Sequence, residues 1–282
     1  MITVPSTVGV IGGGRMGAGI AQVFAQAGAQ VTVIERDPAA AGAAAARLAD
    51  GIRKAAERDA SVDVDAIAGR VAASADYEAL RNAELVIEAV PETFALKVEA
   101  MQRAEGIVEE SAWLATNTSS LSVTRLAAQL ARPERVCGLH FFNPVPPSSL
   151  VEIVLTPSTD PDLRQRAEQW VTSLGKTPIV VNDAPGFASS RLGAAIALEA
   201  MRMLEEGVAS AEDIDTAMVL GCRHATGPLR SSDLVGLDVR LGIAEYLYET
   251  LGERFAPPQI LRDKVAAGEL GRKTGRGFFD YA

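Results

Sequence analysis

A mainly parallel α/β domain followed by an all-helical one is the fold class this sequence predicts, and three observations predict it. Short apolar runs alternate with helix-like stretches through the first two thirds of the chain, the order that βαβ units produce. A glycine-rich turn, "GVIGGGRMGAGIA" (9–21), joins the first apolar run to the first helix-like stretch. After "NDAPGF" (182–187) the texture changes to long Ala, Leu and Met stretches. The boundary is therefore drawn near Pro185, giving domains 1–184 and 185–282.

The apolar runs are "VGVIG" (8–12), "VTVIE" (31–35), "LVIEAV" (85–90), "WLATN" (113–117), "RVCGLHFF" (135–142), "LVEIVL" (150–155) and "PIVVN" (178–182). Each has strand length and sits between turn or helix signals. The Ala-rich stretch 38–60 carries Arg and Leu at helical spacing and is expected to extend into a helical hairpin. Residues 188–206 read as a helix closed by Gly207, and "SAED" (210–213) as a capping box with Ser210 as cap. Residues 237–251 and 258–267 also read as helices, and "GFFDY" at the tail is the last strand candidate.

Composition narrows the function. Of the 282 residues, 48% are hydrophobic and 22% charged, a balance able to bury a core, and the net charge is −9. A uniformly acidic chain lacks the basic stripe that phosphate backbones require, which argues against a nucleic-acid partner. Cys137 and Cys222 have no metal-ligand spacing, so no metal is expected, and a reducing cytoplasm is the simplest setting. No signal peptide is visible, and no apolar run approaches the roughly 20 residues of a membrane span.

Gly12, Gly14 and Gly17 stand in G-x-G-x-x-G spacing after a strand and before a helix, and the second strand ends in Glu35. Gly12 suits a tight turn, Gly14 a close backbone approach by pyrophosphate, and Gly17 close packing of helix on strand. The helix N-terminus then faces the phosphate charge. This is a Rossmann-type dinucleotide-binding domain. Glu35 would accept from the adenosine ribose hydroxyls and repel a 2′-phosphate, which favours NAD over NADP; Arg36 beside it keeps a 2′-phosphate open if Glu35 turns away.

One of only two histidines stands in "HFFNPVPPSSLVEIV" (140–154), ahead of Glu152 in an apolar run. Burial disfavours both side chains alone, so a partnership between His140 and Glu152 is expected.

These motifs carry a resemblance. With "VIEAVPE", "TNTSSLS", "GLHFFNPVP", "LVEIV", "GKTPIVVNDAPGF" and "GRKTGRGFFDY" in order, the chain resembles the L-3-hydroxyacyl-CoA dehydrogenase family nearly end to end. The resemblance implies a Rossmann-type domain followed by an all-helical dimerisation domain, an acyl-CoA or related thioester substrate, NAD as cofactor, and a homodimer. It implies that His140 is the general base, that Glu152 holds it, and that Ser119 hydrogen-bonds the reacting oxygen of the substrate. Helix capping is the competing role for Ser119 and its neighbour Ser120. Ala89, Glu92, Lys97, Asn143 and Lys273 are implied as cofactor contacts. Solvated charge is the alternative for Lys97 and Lys273. Arg53, Lys54 and Arg58 are implied to reach the phosphates of CoA, against a solvated helix face.

The match departs from the family at the acyl end. Ser190 stands where the family carries an Asn that helps hold the substrate, Ser148 and Ser149 replace a Met and often a Lys, Thr226 replaces a Met, and "LRSSD" (229–233) with Arg230 is polar where relatives are mostly apolar. A polar wall suits a short or polar acyl group, because each buried methylene contributes about 0.8 kcal/mol only where it meets apolar surface. Drift on a solvent-facing helix is the competing explanation. A dehydrogenase of a polar 3-hydroxy acid, free or on an acyl-carrier protein, is the alternative function.

Overall fold

The computed structural model describes residues 4–281, and the chain divides into two compact units, Met1–Ala184 and Pro185–Ala282. The first unit is built around β1 (Thr7–Ile11), α1 (Arg15–Gln26), β2 (Gln30–Ile34), α2 (Pro38–Arg58), α3 (Val64–Ala68), β3 (Val71–Ser74), β4 (Leu85–Glu88), α4 (Phe94–Glu105), β5 (Trp113–Thr116), α5 (Val123–Ala127), β6 (Val136–Phe141), β7 (Leu150–Leu155), α6 (Pro161–Ser173) and β8 (Thr177–Asn182). Its eight strands form one sheet in the order β3-β2-β1-β4-β5-β6-β7-β8. The first six run parallel; β7 runs antiparallel to β6, and β8 follows β7. The order reverses between β1 and β4, which opens a crevice beyond the carboxyl ends of those strands.

Each strand side chain alternates between two faces. One set, including Val10, Ile87, Ala115, Leu139 and Ile153, joins α1, α2 and α6 in a single apolar core. By that alternation Glu88, Thr116, His140 and Glu152 point to the other face, where α4 and α5 pack on β4, β5 and β6. A Cβ at Gly138 would meet Val123 of α5, in keeping with that assignment.

All seven strands read from the sequence form. β3 was not anticipated: "VAAS" is short, Ala-rich and incompletely buried at the sheet edge, so it carries no apolar run. The helical hairpin is lopsided, with a 21-residue α2 and a return arm, α3, of only 5 residues. Asp37 caps α2 by accepting from Ala40 N at 2.7 Å, with Pro38 in the first turn.

The second unit is helical: α7 (Ser189–Glu205), α8 (Ala211–Thr216) running into a π-helical turn (Ala217–Gly221), α9 (Pro228–Val235), α10 (Leu237–Leu251) and α11 (Gln259–Ala266). Ala194, Ala197, Leu198 and Met201 of α7 meet Leu229, Leu237, Leu247 and Leu261 in its core. Ser210 caps α8 through Asp213 N at 3.1 Å, while the Asp213 carboxylate meets the Ser210 hydroxyl at 2.8 Å. "GFFDY" is not a strand; only isolated bridges, Gly271 to Arg276 and Arg276 to Asp280, form there. The tail is fixed instead by buried Asp233, which accepts from Phe278 N, Phe279 N and the Tyr281 hydroxyl at 2.9–3.0 Å. Among the described residues no helix is long and apolar enough to cross a membrane.

Candidate active site

The glycine turn does what its spacing demands. Gly12 has φ +95°, and a Cβ there would lie 2.9 Å from the Ala89 carbonyl oxygen. Gly17 brings α1 so close to the turn that a Cβ would stand 1.7 Å from the Gly12 carbonyl oxygen. Gly14, at the head of α1, has nothing within 4 Å of its Cβ position. The loop is thus tight at two glycines and open at the third, facing the first turn of α1 where amide N–H groups lack helical partners.

A cavity of about 1050 Å³ lies beyond the strand ends. Gly12, Gly14, Glu35, Ala89, Glu92, Ser119, His140 and Asn143 all line it. Glu35 Oε1 accepts from Gly13 N at 2.8 Å, which fixes the carboxylate at the end of β2. Arg36 is turned to Asp37 at 3.1 Å. Arg15, Tyr77 and Arg103 also line the cavity and escaped the sequence reading; Arg103 lies 4.0 Å over the Tyr77 ring. Asn117 lines it too, and its Oδ1 accepts from Phe141 N at 2.9 Å, tying the end of β5 to that of β6. Its position at the strand end of "TNTSSLS" was the available signal.

His140 and Glu152 are register partners across the antiparallel pair β6–β7. Opposed residues carry their side chains on one face, about 5 Å apart at Cβ. The result is a 2.7 Å hydrogen bond from His140 Nδ1 to Glu152 Oε2, with both residues buried. Cys137, one strand position from this face, is no rival nucleophile, since burial pushes its thiol up to about 12.

Lys97, expected beside the cofactor or in solvent, is not in solvent. Its side chain is 1% exposed and its ammonium meets Glu88 Oε1 at 2.9 Å, Glu92 Oε2 at 3.1 Å and the Val90 carbonyl at 3.1 Å. Glu92 is among the residues that line the cavity, and Lys97 stands behind it. Burial pushes the Glu88 carboxyl up, against Lys97. Burial would also raise Glu92, but the Lys97 charge and hydrogen bonds from Thr118, Lys97 and Ser119 outweigh it and hold Glu92 below the usual carboxylate range.

The capping role open to Ser119 and Ser120 belongs to Ser122, whose side chain accepts from Arg125 N. Ser119 lines the cavity instead. Lys54 and Arg53 each pair with Asp50 on α2, Lys54 at 2.6 Å, and Arg58 ends the same helix. In the second unit Lys273 pairs with Asp238 at 2.6 Å, Ser190 lies in the first turn of α7, and the Arg230 guanidinium stacks 4.0 Å over Phe279.

Two family models match the chain: the 3-hydroxyacyl-CoA dehydrogenase NAD binding domain over residues 7–184 and the 3-hydroxyacyl-CoA dehydrogenase C-terminal domain over 186–281. A 3-hydroxybutyryl-CoA dehydrogenase of Mycobacterium tuberculosis is 43% identical over 279 residues, covering 97% of this chain and 98% of the other. The mitochondrial hydroxyacyl-coenzyme A dehydrogenase of Sus scrofa is 37% identical, covering 97% and 90%. The solved structure of (S)-3-hydroxybutyryl-CoA dehydrogenase from Ralstonia eutropha matches with a TM-score of 0.94 at 40% identity, over 99% of both chains.

Proposed function

The chain belongs to the 3-hydroxyacyl-CoA dehydrogenase family, and on that premise we propose that His140, Glu152 and Ser119 carry its NAD-dependent oxidation of a short 3-hydroxyacyl-CoA, or the reverse. The observation that carries this assignment is the single cavity lined by both the glycine turn and the His140 and Ser119 side chains. Gly12 and Gly14 would receive the pyrophosphate of NAD, Glu35 the adenosine ribose, and Ala89 and Asn143 the nicotinamide end. The chemistry that NAD would supply when held there is acceptance of hydride, two electrons and a hydrogen, from C3 of the substrate.

The residues of the chain handle the proton. Glu152 accepts from His140 Nδ1, so the hydrogen rests on that nitrogen and Nε2 keeps its lone pair. Nε2 takes the proton of the substrate hydroxyl, and the buried Glu152 carboxylate offsets the charge of the imidazolium that forms. The Ser119 hydroxyl donates to the same oxygen as it becomes a carbonyl. In reduction the order reverses, and imidazolium returns the proton to the oxygen. Arg53, Lys54 and Arg58 are suited to the phosphates of CoA: the ion pairs of Arg53 and Lys54 with Asp50 are exposed, and such pairs contribute little, about 0–1 kcal/mol, so an arriving phosphate competes readily.

A homodimer built through the second unit is part of the same reading. Among the described residues, eight of the ten exposed large hydrophobics, including Leu192, Val208, Leu220 and Leu234, lie after Pro185, and a second copy is the simplest cover for them. Two free thiols, one exposed at Cys222, suit a reducing cytoplasm.

The test is oxidation of NADH with acetoacetyl-CoA, its pantetheine analogue and free 3-oxo acids, on wild type and His140→Ala. We expect turnover with acetoacetyl-CoA and a loss on the order of 10²–10⁴-fold in the variant, with NADH binding retained. Glu152→Gln should also slow turnover strongly, because an amide cannot offset the imidazolium. Most of the activity surviving in His140→Ala would sink the assignment.

A further inference from the structure

Glu92 is engaged in a way that its place on the cavity wall does not require. One oxygen, Oε1, gathers the Thr118 hydroxyl at 2.5 Å, Ser119 N at 3.0 Å, Ser120 N at 3.2 Å and the Ser120 hydroxyl at 3.1 Å. All belong to the short loop between β5 and α5. The Ser119 hydroxyl stands farther off, at 3.5 Å. The carboxylate therefore pins the backbone of this loop and takes the hydroxyls on either side of Ser119, leaving the Ser119 hydroxyl the least engaged of the three. Ser119 is also the one of the three that lines the cavity.

Glu92 is itself held from behind. Its Oε2 meets Lys97, whose remaining donors go to Glu88 and the Val90 carbonyl. Glu88, fully buried, is fixed in turn by the Thr116 hydroxyl at 2.7 Å and by Val90 N at 2.6 Å. The chain of contacts runs from the core of β4 and β5, through Lys97, to the loop that carries Ser119.

We propose that Glu92 is a positioning residue for Ser119 and that Lys97, braced by Glu88, positions Glu92. Both act on the reacting oxygen of the substrate through the serine loop and neither touches it. This rests on the assignment of Ser119 above. The physical need is clear: a donor aimed at a developing charge gains its effect from being held in advance, and a loop by itself does not hold a serine to within a fraction of an ångström.

The experiment is a cycle of full-length enzymes: wild type, Ser119→Ala, Lys97→Met and the double variant, with kcat, KM for acetoacetyl-CoA and the Kd of NADH measured for each. Ser119→Ala should lower kcat on the order of 10²-fold. Lys97→Met should lower kcat about tenfold through a misplaced donor, with the Kd of NADH within about twofold of wild type, and the double variant should be no slower than Ser119→Ala. Multiplying losses in the double variant, or an NADH affinity that falls in step with kcat, would overturn the clamp and make Lys97 a cofactor or purely structural residue. A Ser119→Ala enzyme near wild-type kcat would overturn the serine assignment and the clamp with it, a signature distinct from multiplying losses. Lys97→Met strands the Glu88 carboxylate, so the cycle is repeated with Glu88→Gln added throughout; this removes the uncompensated buried charge and keeps partners for Thr116 and Val90. The same non-multiplying pattern is expected there.

Discussion

Gly14 and Gly17 stand three residues apart, yet methylating them should have separable consequences. At Gly17 an added Cβ would lie 1.7 Å from the Gly12 carbonyl oxygen, and real Cβ atoms essentially never come within 3.0 Å, so the two must part by at least 3.0 − 1.7 = 1.3 Å. The obstacle is backbone, and it cannot rotate away. Gly12 N is bound to the Ile34 carbonyl at 2.8 Å, and Gly12 abuts the Ala89 carbonyl. The N-terminal turn of α1 must therefore lift off the strand. Overpacking of this kind costs about 1–3 kcal/mol, at about 2–4 °C in Tm per kcal/mol for a domain of this size. It also carries the phosphate-facing amides out of place, so Gly17→Ala should lose thermal stability and at least about tenfold in NADH affinity together. Gly14→Ala differs: φ is −62°, which any residue adopts, and nothing lies within 4 Å of the new methyl. Its Tm should fall by no more than about 4 °C, since the only cost is about 1 kcal/mol for Ala as a poorer cap than Gly, while NADH affinity still falls at least about tenfold because the methyl fills the approach to the backbone. Thermal unfolding of the apo proteins and NADH fluorescence titration read the two quantities. A wild-type Tm in Gly17→Ala would refute the close-packing argument; wild-type NADH affinity in Gly14→Ala would mean the open face is not where the cofactor comes.

Cofactor choice should turn on Glu35: wild type should prefer NADH to NADPH at least about tenfold, and Glu35→Ala should erode the preference, since it removes both the ribose acceptor and the repulsion of a 2′-phosphate. A wild-type preference for NADPH would hand the decision to Arg36. Across C4, C6, C8 and C10 3-oxoacyl-CoA substrates, kcat/KM should fall beyond four carbons if Ser148, Ser190 and Thr226 border the acyl group, because hydroxyls that must stay hydrogen-bonded cannot reward a longer alkyl tail; a rise toward C10 would assign those residues to surface drift. Light scattering at micromolar concentration should give the mass of a dimer, and Leu192→Glu with Leu220→Glu should shift it toward monomer. A monomeric wild type would leave the exposed apolar side chains of the second unit without a second copy as their cover.

The sequence discloses what is periodic or local and misses what is held across long separations. The seven apolar strands and the glycine turn declare themselves within a dozen residues each. The β3 strand does not, because a short Ala-rich segment at a sheet edge needs no apolar run. Nor does the tail: "FFDY" has β-forming side chains, but Asp233, more than 40 residues earlier, takes the backbone N–H groups of Phe278 and Phe279, and only isolated bridges form. The His140–Glu152 pair could be suspected from rarity and burial, whereas its directness depends on β7 running antiparallel, which no local pattern encodes. Lys97 was the hardest to read. A lysine on an amphipathic helix looks solvated until Glu88, on a neighbouring strand, is found beneath it.

The reversal of β7 makes the His140–Glu152 pair a property of backbone pairing rather than of the chain between its members. In the segment that links the two strands, the side chains of Pro147, Ser148 and Ser149 can change without moving His140 relative to Glu152, so long as the ladder keeps its register. A slip of one residue, by contrast, would turn Glu152 to the opposite side of the sheet, into the apolar layer, and put Val151 or Ile153 opposite the imidazole. Variation is therefore cheap at these loop positions and nearly forbidden in the strand that pairs with His140. A scaffold divided in this way can vary its loop while the geometry between histidine and glutamate stays fixed.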